Sequence, residues 1–144
     1  MRTTILRSGL TALACTAVIA FAIPAMAASV NLKADLKGSS EVPPTDTKGT
    51  GSVTATYDTG SKKLSWKGTV SGLSGPATAA HFHAGEAGKN GGVVVPISGA
   101  DKGAFEGSAT LTDEQAADLM AGKWYVNVHT AANKAGEVRG QVTK

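Results

Sequence analysis

Histidine is the residue type in this sequence whose spacing most directly suggests chemistry. The sequence contains three histidines, and two of them, His81 and His83, are separated only by Phe82. Residues two apart on a β-strand point to the same face of the sheet, so this pair is expected to share a face while Phe82 points to the other. Neutral imidazole is a good ligand for copper and zinc, and three imidazoles can hold either ion while leaving one position open. The spacing therefore suits part of a copper or zinc site.

The third histidine, His129, lies in a segment that alternates between apolar and polar residues. Its apolar positions are Trp124, Val126 and Val128, and its polar positions are Tyr125, Asn127 and His129. The last predicted strand repeats this parity, with Glu137, Arg139 and Gln141 opposite Val138 and Val142. If the strands that carry the histidines are neighbours, a three-imidazole cluster follows. The side chains expected near it are Tyr125, Asn127, Glu137 and Arg139.

Two interpretations of the histidines remain open. In one, His81, His83 and His129 bind a single metal ion, with copper favoured over zinc. In the other, they are solvated or hydrogen-bonded histidines on a polar sheet face and have no ligand. His-x-His is a weak signal by itself. The parity that His129 shares with the pair strengthens the metal hypothesis only modestly.

Other arrangements that could carry chemistry are less well supported. No spacing brings two carboxylates together, and each of the candidates is predicted to be solvated surface: Glu86, Asp101, Glu106 and Glu137. The serines lack the nucleophile-elbow context that a Ser-His-Asp triad requires; they are Ser71, Ser74 and Ser98. Residues 85–92 are rich in glycine but lack the Lys-Ser/Thr ending of a phosphate-binding loop. We expect them to form a connection in which several residues adopt positive φ.

The elements that must position these residues are mainly strands. Period-two alternation predicts strands at 30–36, 52–57, 64–70, 77–84, 93–97, 105–111, 123–130 and 137–143. One short helix over about 112–121 is predicted by a capping box, in which Thr112 is the N-cap and Gln115 bonds back to it. Trp66 and Trp124 fall on the apolar parity of their strands and are predicted to be core rather than ligand-stacking residues. The fold class is therefore a mainly β, antiparallel sandwich or barrel with one short helix.

The first 27 residues have the features of a leader, and its removal would lower the net charge of the chain. They combine Arg2 and Arg7, an apolar run and the ending Pro24-Ala25-Met26-Ala27, which predicts a signal peptide cleaved after Ala27. Without the two arginines, the 14 basic residues fall to 12 against 11 acidic ones, and the net charge falls from +3 to +1. That balance gives no support to nucleic-acid binding.

Removal of this leader would leave one domain, residues 28–144, with no apolar run long enough to span a membrane. The only cysteine, Cys15, lies in the leader, so a disulfide, a Cys-based zinc site and a thiol nucleophile are excluded from the mature domain. Lipid attachment at Cys15 is disfavoured because the residues after it stay apolar. We expect a periplasmic or secreted protein.

Four segments in order resemble the CHRD domain family, which takes its name from chordin. They are Glu41-Val42-Pro43-Pro44, then Ala80-His81-Phe82-His83-Ala84-Gly85, then residues 122–130 (GKWYVNVHT), and finally residues 136–141 (GEVRGQ). Together the resembling features extend from about Val30 to Val142. The resemblance implies an immunoglobulin-like β-sandwich or barrel that is distantly similar to Cu,Zn superoxide dismutase. It implies little about function, because the family has no settled biochemical activity.

The similarity to the dismutase extends to only part of its metal site. His81 and His83 are similar to its His-x-His pair, and His129 could be a third ligand. Three histidines cannot supply a dinuclear copper–zinc site, and the mature domain has no cysteine for the structural disulfide of that enzyme family. A mononuclear copper site remains possible, whereas dismutase chemistry is not supported.

Two functions are therefore expected from the sequence. The first is an exported, non-catalytic binding or structural module of the cell envelope, whose partner would be an envelope or extracellular protein or a glycan. The alternative is a mononuclear copper or zinc protein that uses His81, His83 and His129. A redox or hydrolytic enzyme built on that metal is disfavoured because no complete catalytic set is present.

Overall fold

The computed structural model describes residues 26–144 of the chain. The predicted signal peptide, residues 1–27, lies outside the described residues except for Met26 and Ala27, and its cleavage stays a prediction. Among residues 26–144, no helix is both long enough and apolar enough to cross a membrane.

The described chain is built from eight strands and one α-helix. The strands are β1 (Ser29–Lys37), β2 (Thr50–Asp58), β3 (Lys63–Ser71), β4 (Ala77–Ala84), β5 (Val93–Ile97), β6 (Ala104–Thr110), β7 (Trp124–Thr130) and β8 (Val138–Gln141). The helix, α1, is Asp113–Met120 and lies between β6 and β7. The last strand is shorter than the predicted 137–143, because Glu137 and Val142 lie outside its regular ladder and only Thr143 forms an isolated bridge, to Lys33.

All strand pairs are antiparallel and belong to one sheet in the order β5-β4-β7-β8-β1-β2-β3-β6. The edge strands β5 and β6 come into contact, so the sheet curls into a nearly closed barrel. Pro96 lies in β5, where an edge strand tolerates its missing N–H. The predicted mainly β antiparallel fold is confirmed, in its barrel form.

The barrel interior is filled by the apolar positions that alternate along each strand. In β1, for example, Leu32, Ala34 and Leu36 are buried, while the intervening residues are exposed. The predicted core positions of both tryptophans are confirmed, since Trp66 and Trp124 are both buried. Trp66 also meets the ring of Phe82 edge-on with ring centroids 5.2 Å apart. This close packing holds the strands in place and so fixes the positions of the side chains on their outward faces.

The helix α1 begins at the predicted capping box. The Thr112 hydroxyl accepts a hydrogen bond from the Gln115 backbone N–H, and the Gln115 side chain accepts one from the Thr112 backbone N–H. Ala116 and Leu119 on its inner face are buried in the core. The prediction of a single short helix over about 112–121 is confirmed.

Candidate metal centre

The pairing of β4 with β7 places all three histidines on one face of the sheet. In the antiparallel register, His81 is opposite Asn127, His83 is opposite Tyr125 and His129 is opposite Ala79. Because side chains alternate along each strand, Phe82, Trp124 and Val128 point instead into the core, where they are fully buried. The predicted adjacency of the two histidine-bearing strands is confirmed.

The three imidazoles form one cluster. Nδ1 of His81 lies 3.2 Å from Nε2 of His129, and one ring nitrogen from each histidine lies within 4.8 Å of those of the other two. Ligands that bind one metal ion at about 2 Å lie about 3.3 Å from each other, so the His81–His129 pair is already at ligand spacing. Bringing ring nitrogens from the outer limit of 4.8 Å to that spacing takes a relative movement of about 1.5 Å. His81 is not held by a backbone carbonyl, since its only side-chain hydrogen bond to a described residue is the one to His129.

Two of the rings are oriented by backbone carbonyls. Nδ1 of His83 lies 2.9 Å from the carbonyl oxygen of Gly91, and Nδ1 of His129 lies 2.9 Å from that of Lys134. A carbonyl oxygen only accepts, so we assign the proton to Nδ1 and a lone pair to Nε2 in both rings; the lone pair of His83 Nε2 is unpartnered among the described residues, whereas that of His129 Nε2 faces His81 Nδ1. Metal-binding histidines are commonly held in this way, with the second ring nitrogen donating to a carbonyl or carboxylate.

Burial favours the neutral form of His81 and His83. His83 is buried, and its Nε2 atom has no hydrogen-bond partner among residues 26–144. Desolvation lowers the pKa of His81 below its usual value of 6.5, and the neighbouring His129 and His83 lower it further. Desolvation likewise lowers the pKa of His83, although the bond to Gly91 opposes this effect. Only neutral imidazole can coordinate a metal, and both of these pKa shifts favour that form of the ring.

Of the side chains predicted to lie near the cluster, Tyr125 stacks on His83, Asn127 is opposite His81 and Arg139 lies against Tyr125. The hydrogen bonds of the Glu137 carboxylate go to loop residues and to Thr130, and none goes to a histidine. Tyr125, Asn127, Glu137 and Arg139 form a buried layer and are each at most 3% exposed. Three connections cover this face: residues 38–49, residues 85–92 and residues 131–136. Hydrogen bonds join them to the layer, as from Asn127 Nδ2 to Ala135 O and from Thr45 Oγ1 to Glu137 O. The cluster therefore lies in a polar layer between the barrel and its loops.

Glu137 corrects the prediction that this carboxylate is solvated surface. It is fully buried, and its two oxygens accept hydrogen bonds from Thr47 Oγ1, the Ser74 backbone N–H and hydroxyl, Thr130 Oγ1 and Asn133 Nδ2. Burial alone would raise the pKa of this carboxyl, but the hydrogen bonds outweigh it and lower the pKa to about 2. Glu137 thus ties residues 38–49, residues 131–136 and the connection between β3 and β4 to the end of β7. The other predicted surface carboxylates, Glu86, Asp101 and Glu106, are exposed as expected.

Glu41 is a buried residue to which sequence reasoning gave no role. It is 5% exposed, and its Oε1 atom has no hydrogen-bond partner in the part of the chain that the structure describes. Burial raises the pKa of its carboxyl to about 7, against the opposing effects of the Arg139 charge and an interaction with Asn127. Nothing in the local sequence signals this burial, because it results from the packing of the loop of residues 38–49 onto the polar layer.

The glycine-rich connection, residues 85–92, also differs from its prediction. Several residues were expected to adopt positive φ, but within this connection only Gly88 does, at 77°. Gly91 is required for a different reason: a Cβ atom there would overlap the carbonyl oxygen of Ala84. This close approach is what brings the Gly91 carbonyl to Nδ1 of His83.

The fold and the cluster define a small antiparallel β-barrel domain with a candidate mononuclear metal centre in its covered polar layer. Comparison with protein families matches residues 32–142 to the CHRD domain. Since the match covers most of the chain, the protein belongs to the CHRD domain family. Searches of curated proteins and of solved structures found no match.

Proposed function

We propose that this CHRD-domain protein is an exported, non-catalytic module of the cell envelope that binds one copper ion, and zinc less readily, through His81, His83 and His129. The observation that carries the proposal is the convergence of the three ring nitrogens within 4.8 Å. The export part rests on the sequence of residues 1–27 alone.

The ligand set favours copper over zinc. All three donors are imidazole nitrogens, and for nitrogen sites the affinity of divalent metals rises to copper and falls again at zinc. The cluster contains no carboxylate oxygen, which would favour harder ions such as magnesium or calcium. His81 and His129 are only half-buried, so an ion has a route to the cluster from solvent.

A binding role is supported by the way in which the neighbouring charged groups are used. Both carboxylate oxygens of Glu137 accept hydrogen bonds from loop residues, Oε1 from Thr47 and Oε2 from Ser74 and Asn133. The Arg139 guanidinium donates to the connection of residues 85–92. These groups are engaged in holding the loops, and membership of the CHRD family is likewise consistent with a binding or structural module.

The experiment is a titration of the purified protein, prepared without a histidine tag, with Cu(II), Cu(I) and Zn(II). We expect sub-micromolar copper binding with one ion per chain, and weaker binding of zinc. The double variant His81→Ala/His129→Ala should lose at least 100-fold in copper affinity, because it retains one of the three ligands.

A matched control is Lys134→Ala. Lys134 contributes only its backbone carbonyl to His129, so this exposed side chain can be removed without touching the centre. The control should bind copper as the unmodified protein does. Equal and weak binding by the unmodified protein and the double variant would overturn the proposal.

A further inference from the structure

A buried arginine lies beside the histidine cluster, and although its charge acts on the buried Glu41 carboxyl, it forms no salt bridge with a described carboxylate. Arg139 is 1% exposed, and it takes part in none of the salt bridges found among residues 26–144. Its guanidinium instead donates to Asn90 Oδ1 at 2.9 Å, to the carbonyl of Lys89 at 2.6 Å and, more weakly, to that of Glu86 at 3.4 Å. Burying a charge in this way is costly, so the contacts of Arg139 indicate a specific role.

The first set of contacts that links Arg139 to the cluster is a stack of planar groups. The guanidinium carbon lies 3.4 Å from the centre of the Tyr125 ring. The same ring stacks on the imidazole of His83, with centroids 4.8 Å apart and an angle of 7° between the planes. Because β7 lies between β4 and β8 in the sheet, Tyr125 is held between His83 and Arg139. Arg139 thereby restrains the plane of the His83 ring.

The second set of contacts that links Arg139 to the cluster runs through the glycine-rich loop of residues 85–92. Arg139 holds this segment at Glu86, Lys89 and Asn90, and the next residue, Gly91, accepts the hydrogen bond from Nδ1 of His83. The Tyr125 hydroxyl reinforces the same point, since it accepts from the Gly91 N–H at 3.1 Å. The two sets of contacts therefore act on the same side chain. The first restrains the plane of the His83 ring, and the second determines which of its nitrogens carries the proton.

We infer that Arg139 is a positioning residue of the metal centre, which acts through Tyr125 and residues 85–92 to keep Nε2 of His83 directed at His81 and His129. This inference rests on the proposed function for its consequence, a higher metal affinity, but the orientation of His83 is a property of the protein itself. Arg139 does not touch the metal. Its fork of donors and its planar shape are both used, and lysine supplies neither.

The test uses two variants, Arg139→Lys and Arg139→Met, and two measurements. The first is ¹⁵N NMR of the histidine rings in the metal-free protein. We expect His83 of the unmodified protein to be protonated at Nδ1 and bare at Nε2, and both variants to show a mixture of the two tautomers. If Arg139→Met does not fold, Arg139→Lys, which retains the charge, still decides the outcome. A His83 tautomer unchanged in a folded variant would overturn the inference.

The second measurement is copper affinity, taken with and without His83→Ala. Groups that orient a ligand typically contribute 10–100-fold to metal affinity, and we expect Arg139→Lys to lose about that much. In the His83→Ala background the same substitution should change copper affinity less than about twofold, since its target is gone. An equal loss in both backgrounds would show that Arg139 does not act through His83. If the unmodified protein bound no copper, the proposed function would fail, while the NMR measurement would still decide whether Arg139 orients His83.

Discussion

Nδ1 of His81 lies 3.2 Å from Nε2 of His129, and only one of these nitrogens can carry a proton. The proton of His129 is already placed, because its Nδ1 lies 2.9 Å from the carbonyl oxygen of Lys134. His81 must therefore donate from Nδ1 in the metal-free protein. A metal ion would take the position of that shared proton, and the His81 proton would move to its other nitrogen. Ion binding would thus replace an internal hydrogen bond.

Because the three histidines come together only in the folded state, we expect copper to stabilise the folded protein. A ligand that binds only the folded state at 100 times its dissociation constant adds about 2.7 kcal/mol to the free energy of unfolding. Thermal unfolding with and without copper measures the effect as a rise in Tm. The rise should disappear in His81→Ala and persist in Lys134→Ala. A copper-induced rise that is the same in His81→Ala would contradict the assignment of His81 as a ligand.

The glycine-rich connection offers a matched pair of substitutions. A Cβ atom at Gly91 would overlap the carbonyl oxygen of Ala84, whereas one at Gly92 meets nothing within 4 Å. Gly91→Ala should displace the carbonyl that orients His83 and lower copper affinity about tenfold or more. Gly92→Ala should leave copper affinity unchanged. Parallel copper titrations of the two variants check this, and equal affinities would show that the Gly91 carbonyl does not matter to the site.

Glu137 predicts a loss of stability in acid. Its pKa is lowered from 4.5 to about 2, so its contribution is fully present above about pH 4.5 and is lost as the pH falls through 2. The shift corresponds to about 3 kcal/mol at neutral pH. Glu137→Gln should lower the free energy of unfolding by about that amount near pH 7 and by much less near pH 2. Urea unfolding across this range measures it.

The control for Glu137 is Glu106→Gln, which removes an exposed carboxylate with only a surface ion pair to Lys67. Its effect should stay below about 0.5 kcal/mol. A difference between Glu137→Gln and the unmodified protein that does not shrink in acid would refute the ionised, hydrogen-bonded state of Glu137.

Glu41 predicts the opposite pH dependence. Its pKa is raised from 4.5 to about 7, which means that the carboxyl ionises less readily in the folded than in the unfolded state. The free energy of unfolding therefore falls as the pH rises through this range. Glu41→Gln removes this loss of stability, and its stability relative to the unmodified protein should improve between pH 5 and pH 8, by up to about 3 kcal/mol. Unfolding at the two pH values tests this. A variant that becomes relatively less stable at the higher pH would contradict it.

The parts of this structure that could be predicted from sequence are those set by local periodicity. Alternation of period two places His81 and His83 on one face and Trp124 on the other, whatever the strands pair with. The capping box at Thr112 is equally local. The resemblance to the CHRD family, confirmed over residues 32–142, rests on four short segments in order.

What the sequence could not supply depends on contacts between distant segments. The carbonyls of Gly91 and Lys134 orient two of the histidines, and backbone acceptors have no side-chain signature. Glu137 alternates with apolar residues and therefore resembles a solvated position, but the loops that cover it are placed only by the closed barrel. The distant similarity to Cu,Zn superoxide dismutase, export and the identity of the metal stay predictions.

X-ray absorption spectroscopy of the copper-loaded protein reports directly on the ligands of the bound ion. If one ion binds to three imidazoles, the spectrum should show three nitrogen ligands at about 2 Å with the outer-shell scattering of histidine rings. The chain contains only three histidines, which makes the assignment to His81, His83 and His129 unambiguous. A spectrum with one imidazole or none, and oxygen ligands in their place, would show that the three histidines do not bind the ion together.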